Sequence, residues 1–155
     1  SMRLAQKGEL MTHHKDRAVL TLLKMDDVIE KDFEVVNPHM SLGDLVKVIA
    51  RSSRNAFPVV DDKGVLLGIV QLDNIRNIMF RPELYERFHV SKFMVSAASK
   101  IEIDKSMEHI MRTFDDTKAW SLPVVDMQGR YIGFVSKSKI FNSYREVLVD
   151  NFSGD

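Results

Sequence analysis

The sequence predicts an α/β protein of the α+β type, built from two β-α-β-β-α units packed face to face, and three observations lead there. A block of the chain repeats itself 65 residues later, each copy carries one amphipathic helical stripe, and each copy then turns between two β-branched runs at an Asp-x-x-Gly. The 155 residues, 45% of them hydrophobic, supply enough apolar material for a shared core.

The repeat is ungapped. Phe57-Pro58-Val59-Val60-Asp61 falls on Leu122-Pro123-Val124-Val125-Asp126; Gly64 then meets Gly129, Gly68 meets Gly133, Val70 meets Val135 and Ile75 meets Ile140. Upstream, Ser41 meets Ser106. One such match could be chance, but an ordered series with constant spacing marks a duplicated unit.

Residues 1–24 form a linker and lead-in helix, 25–88 the first repeat, and 89–155 the second repeat with its C-terminal helix and tail. In the lead-in, Val19, Leu20, Leu22 and Leu23 suggest a helix docking on the pair, while Arg3–Asp16 has no apolar stripe to offset the cost of ordering and reads as a loose tether. Short strands near Val35-Val36 and Ile101–Ile103 open the two units. Leu42, Leu45, Val46 and Ile49 then lie on one helix face, with Ser41 as N-cap and Asp44 three residues on. Met107, Ile110, Met111 and Phe114 repeat the stripe behind Ser106, with His109 in place of the acid. Phe57–Val60 and Leu66–Val70, then Leu122–Val125 and Tyr131–Val135, read as hairpins whose glycines, 64 and 129, accept positive φ. Second helices carry Leu72, Ile75 and Met79 in one copy and Ile140, Tyr144 and Leu148 in the other.

Charge and motif content exclude several classes. Lys+Arg and Asp+Glu both count 22, so nothing suggests an electrostatic grip on nucleic acid. Absent cysteines remove disulfides, thiolate metal sites and thiol nucleophiles together. The longest apolar stretch, Gly64 to Val70, is far short of the about 20 residues that span a bilayer. Ser1-Met2 reads as a cloning remnant ahead of an excised fragment, so a larger parent protein is expected.

The five histidines (13, 14, 39, 89 and 109) are scattered, with no HExxH, GxSxG or GxxxxGK[ST] among them, so no catalytic residue is assigned. Adjacent side chains in His13-His14-Lys15-Asp16 rarely converge on one ion, so no metal site is expected either, and His109 reads as solvent-facing or capping. Gly68 and Gly133 belong to no Gly-rich run and read as close-packing positions rather than a phosphate loop. Met107 and Met111 read as core. The lone Trp120 at a strand start reads as core by the general rule, though its place suits a cleft.

The doubled pattern h-P-V-V-D-x-x-G-x-x-x-G-h-V, with a helix before and after each copy, resembles a tandem CBS (cystathionine-β-synthase type) pair over roughly Met25 to Asp150. The resemblance implies a pseudo-twofold, disc-like regulatory module, not an enzyme, that often dimerises and often takes adenine nucleotides. A narrower resemblance, in Leu4–Leu10, Thr12–Asp16, Ala18–Leu22 and Tyr144-Arg145-Glu146, is to the cytosolic C-terminal region of bacterial ClC-type chloride channels and proton/chloride antiporters. It implies a place on the cytoplasmic side of the cell membrane, with the chain's own transmembrane transporter domain and a second copy as partners, and no nucleic acid. The exposed dimer patch would use Ile78, Met79 and Phe80 with Phe141, Tyr144 and Val147.

In that family the adenosine pocket combines the start of the second strand of one repeat with the strand-to-helix junction of the other, the junction having the form Gly-h-h-[Ser/Thr]-x-x-Asp. Transferred position by position, the strand starts are Arg54, Asn55, Ala56 and Phe57, and Trp120 and Ser121; the junctions are Gln71 and Asn74, and Ser136 and Lys139. Both junction aspartates, which would accept from the ribose diol, are missing, and a carboxylate's charged hydrogen bonds are the strong ones. No cofactor is therefore required, and ATP, ADP or AMP is expected to bind weakly through Lys139, Arg54 and stacking on Trp120. The alternatives are a ligand-free dimerisation module, or a CBS regulator attached to another transporter or enzyme.

Overall fold

The computed structural model describes residues 20–152, with side-chain surroundings for 20–150. Val19 and the tether Arg3–Asp16 lie outside the described residues. Helix α1 spans Met25–Val28; α2 (Leu42–Arg51) leads into the hairpin β1 (Ala56–Val60) and β2 (Leu66–Gln71), and α3 (Leu72–Ile75) follows at once. The second repeat supplies β3 (Ile101–Glu102), α4 (Met107–Thr117), the hairpin β4 (Ser121–Val125) and β5 (Tyr131–Ser136), and α5 (Lys137–Phe152). The α/β class read from the repeat is the observed one.

Local chemistry sets these elements. The Ser41 and Ser106 hydroxyls accept the Asp44 and His109 N–H groups at 3.1 Å, satisfying donors that a helix start leaves open. Helix α4 buries the predicted Met107, Ile110, Met111 and Phe114. Helix α2 buries Leu42, Leu45 and Val48, with Val46 and Ile49 only partly covered, so its inner face is rotated slightly from the predicted stripe. At each hairpin one aspartate organises the turn: Asp61 Oδ1 accepts from the N–H of Lys63 and Val65, and Asp126 Oδ1 from Gln128 and Arg130, all at 2.8–2.9 Å. Gly64 and Gly129 take φ of +87° and +83°, where a side chain would be strained.

The described chain divides into two units, one of residues 20–30, 98–124 and 134–152, the other of 31–97 and 125–133. Strand pairing explains that partition. Glu30 bridges antiparallel to Phe134 of β5, and Val95 bridges antiparallel to Ile69 of β2, each with N–H donated both ways at 2.8 and 2.9 Å. The 65-residue repeat makes Glu30 equivalent to Val95 and Ile69 equivalent to Phe134, so the opening segment of each repeat, which in the first copy continues the lead-in to Glu30, closes a sheet edge of the other. The lead-in accordingly buries Leu20, Leu23 and Val28 with Ile101, Phe114, Leu122 and Ile140 in the first unit's core. The second unit packs Leu45, Phe57, Val59, Val70 and Ile75. Leu22, expected to dock with its neighbours, is exposed.

Two further expectations change. In the first repeat the second helix ends after one turn at Ile75, although Ile78 and Met79 N–H still bond the Ile75 carbonyl at 3.0 Å. Asn74 and Asn77 are poor helix formers. Tyr144, predicted on a partner face, is buried in its own core because it follows Ile140 at helical spacing; Ile78, Met79 and Val147 are also partly covered. Phe80, 78% exposed, and Phe141, 45% exposed, remain from that patch.

Gly68 serves close packing: a Cβ there would stand 2.8 Å from the Val95 carbonyl oxygen, which cannot retreat without breaking the bridge to Ile69. Gly68→Ala is expected to cost about 1–3 kcal/mol in denaturant unfolding. Lys118 closes α4 in the left-handed region at φ 63°, where glycine is unstrained, so Lys118→Gly should raise Tm by about 2–4 °C.

Candidate functional site at the strand-to-helix junctions

In the second repeat the strand start and the junction meet within one unit. Trp120, just ahead of β4, is 76% exposed and so departs from the core reading of a lone tryptophan. Its carbonyl accepts the Lys137 N–H at 3.0 Å, and the Lys137 ammonium lies 4.9 Å from its ring centroid, a cation–π contact. Ser121, the first residue of β4, is exposed beside it. Ser136 closes β5 and caps α5, its Oγ accepting the Lys139 N–H at 3.1 Å. The same hydroxyl lies 3.3 Å from Ser138 Oγ and 3.5 Å from Glu30 Oε1, to which it donates. Helix α5 has no acidic residue in its first turn but has Lys137 and Lys139 there, so side-chain cations add to the positive end of the helix. The result is an open aromatic face beside the Lys137 ammonium, next to a serine-capped helix start whose first turn also carries Lys139.

The first repeat has the same backbone and different chemistry. The Asn55 carbonyl accepts the Leu72 N–H at 2.8 Å and Ala56 pairs with Gln71, so strand start and junction again adjoin; Asn55, Gln71 and Asn74 are exposed. Phe57, transferred as a site residue, is instead fully buried, because β1 packs into the core through Phe57, Pro58 and Val59. Arg54 is ion-paired to Asp32 through Nη2 and Oδ1 and stacks on Phe33, its guanidinium carbon 4.3 Å from the ring centroid. That charge, expected to draw phosphate, is already met within its own unit. The hydrogen bond from Arg54 holds the exposed Asp32 carboxyl below its ordinary value. Nearby, burial pushes the Tyr131 hydroxyl well up, with the Arg54 guanidinium pulling the other way and the Asp32 carboxylate adding to the rise.

Glu30, Lys137, Asp32 and Phe33 were not in the sequence-derived set. Lys137 could have been found, since it flanks Ser136. Glu30 and Asp32 could not, because they reach their partners through pairings 106 and 22 residues apart along the chain.

The CBS domain family profile matches residues 25–81 and 90–146, and the chain belongs to that family. Among curated relatives, it is 25% identical over 143 residues to inosine-5'-monophosphate dehydrogenase of Methanocaldococcus jannaschii, covering 88% of this chain and 28% of the enzyme. It is 29% identical over 131 residues to a CBS domain-containing protein of Dictyostelium discoideum, covering 78% and 90%. The chain thus spans little more than a quarter of the archaeal enzyme's length but most of the Dictyostelium protein's. Two solved structures share the fold: CBSX2 in complex with AMP (22% identity, TM-score 0.65, 79% of this chain and 96% of that one) and the CBS domain of a bacterial CNNM/CorC family Mg2+ transporter in complex with ATP (12%, 0.70, 83% and 92%). Among the described residues no helix is long and apolar enough to cross a membrane.

The Asp32–Arg54 pair has a pH signature. Because the folded-state pKa of Asp32 lies below 3.8, the folded protein holds that proton more weakly than the unfolded chain. The stability it contributes is complete above that value and is lost as pH falls through the lowered one. Asp32→Asn should therefore lower Tm modestly at pH of about 6, with the gap to wild type closing toward pH of about 2 in a thermal-melt series.

Proposed function

We propose that the chain is a regulatory CBS-pair module that takes an adenine nucleotide weakly at the junction of its second repeat. The observation that carries this reading is Trp120, exposed beside the Lys137 ammonium at the Ser136-capped start of α5, whose first turn also carries Lys139. An aromatic face stacks any base, two ammonium groups and a helix N-terminus favour phosphate, and a hydroxyl adds a directional bond. The bound AMP and ATP of the two fold neighbours support the choice of ligand class. The first repeat's junction suits phosphate less, since Arg54 is paired and Gln71 and Asn74 are neutral.

The wider setting we favour is the cytoplasmic side of a membrane transporter of the ClC type, supported by the resemblance of Leu4–Leu10, Thr12–Asp16, Ala18–Leu22 and Tyr144-Arg145-Glu146 to that group. Partial coverage of the dehydrogenase and near-complete coverage of the Dictyostelium protein equally fit another parent enzyme or a standalone CBS protein. A second reading, a dimerisation module without ligand, is favoured by the missing junction aspartates and by the exposed Phe80 and Phe141. Light scattering at tens of micromolar should then show a dimer that Phe80→Ser or Phe141→Ser weakens; a clean monomer removes that reading.

Trp120 is the sole tryptophan, so its fluorescence reports on the junction directly. ATP is expected to change it with a Kd of about 0.1–1 mM or weaker. Adenosine should bind less well, and added salt should weaken ATP, because the phosphate attraction is exposed to solvent. Lys139→Asp should improve adenosine relative to ATP. No fluorescence change and no heat up to about 10 mM ATP would discard the nucleotide reading.

A further inference from the structure

The carboxylate of Glu30 does not belong to a purely phosphate-binding set. It is delivered to the second repeat's junction by backbone, since Glu30 exchanges N–H···O bonds with Phe134 at 2.8 and 2.9 Å, two residues before Ser136. Its Oε1 then stands 3.5 Å from the Ser136 hydroxyl. A helix with an acid at its third position completes its own capping box; α5 has Lys139 there and receives a carboxylate from the lead-in instead. At the Ser136-capped start of α5, an anion repels phosphate and accepts from hydroxyl groups. In the first repeat the equivalent of Glu30 is Val95, paired to Ile69 as Glu30 is to Phe134, so this carboxylate is particular to the second junction.

We propose that Glu30 is a specificity-determining residue that accepts hydrogen bonds from a vicinal diol, and so selects ribonucleotides over deoxyribonucleotides and over bare polyphosphate. The proposal rests on the nucleotide reading above. Trp120 takes the base, Lys137 and Lys139 the phosphates, and Glu30 with Ser136 the sugar hydroxyls. The sugar acceptor absent from α5 itself is thereby supplied by a segment that lies 109 residues earlier than Lys139 in the chain.

The test compares ATP, 2′-deoxyATP and inorganic tripolyphosphate by Trp120 fluorescence, with tripolyphosphate measured in competition with ATP. Wild type should prefer ATP over 2′-deoxyATP by about tenfold, the size of one charge-assisted hydrogen bond. Glu30→Ala should reduce that preference to within about twofold, and Glu30→Gln, which keeps one acceptor oxygen, should fall between. Both variants should bind tripolyphosphate about two- to threefold more tightly, because a nearby negative charge is gone. If Glu30 only steadied the start of α5, all three ligands would weaken together as Tm fell. The proposal is overturned if wild type binds ATP and 2′-deoxyATP equally, a result that needs no variant to fold, or if the preference survives Glu30→Ala. An absence of any ATP response instead removes the nucleotide reading itself, so the two failures are distinguishable.

Discussion

Strands β2 and β5 each have one edge in their own hairpin, and the other edge would be open without the lead-in to the opposite repeat. Val95 on Ile69 and Glu30 on Phe134 close those edges with paired backbone bonds. Much else depends on this exchange. It requires glycine at 68, because the Val95 carbonyl comes too near for a side chain. It draws Leu20, Leu23 and Val28 into a core made mostly by the second repeat. It also sets the register of Glu30, and a one-residue slip would turn its side chain to the other face of the sheet, away from Ser136.

Upon this shared frame the two repeats carry different chemistry. The turns themselves are bonded to each other at equivalent positions: Leu66 N–H to the Gly129 carbonyl at 3.0 Å and Tyr131 N–H to the Gly64 carbonyl at 2.9 Å. Where the first repeat has Arg54, Asn55, Gln71 and Asn74 and receives Val95 from the second, the second has Ala119, Trp120, Ser136 and Lys139 and receives Glu30 from the first. The first set places its cation in an ion pair with Asp32 and a stack on Phe33. The second leaves the Trp120 ring exposed, with the Lys137 ammonium against it. The two copies share the junction's backbone bonds, Asn55 to Leu72 and Trp120 to Lys137, and differ in the side chains set upon them.

What could be read from the sequence was local or periodic. The serine caps, the apolar stripe of α4 and the Asp-x-x-Gly turns are decided by neighbours within a few residues, and each formed as expected. The first repeat's second helix was misjudged because Leu72, Ile75 and Met79 have helical spacing, while the asparagines between them weaken the helix that spacing implies. Trp120, Tyr144 and Phe57 illustrate a second limit: whether an aromatic residue is covered depends on elements far away in sequence. The contribution of Glu30 and the neutralisation of Arg54 were invisible for the same reason.

Reciprocal edge closure also bears on how separate copies of the chain behave toward one another. The hydrogen bonds that seat residues around Glu30 on β5 are backbone bonds, indifferent to which molecule supplies them. The edge of β5 therefore presents the same donors and acceptors to the Glu30 segment of another copy as to its own, the complementarity on which strand exchange depends. What opposes this in dilute solution is proximity: a tethered segment acts at an effective concentration on the order of millimolar. Crowding many copies on one surface narrows that advantage, so the fold carries within it a route to assembly that needs no new contact.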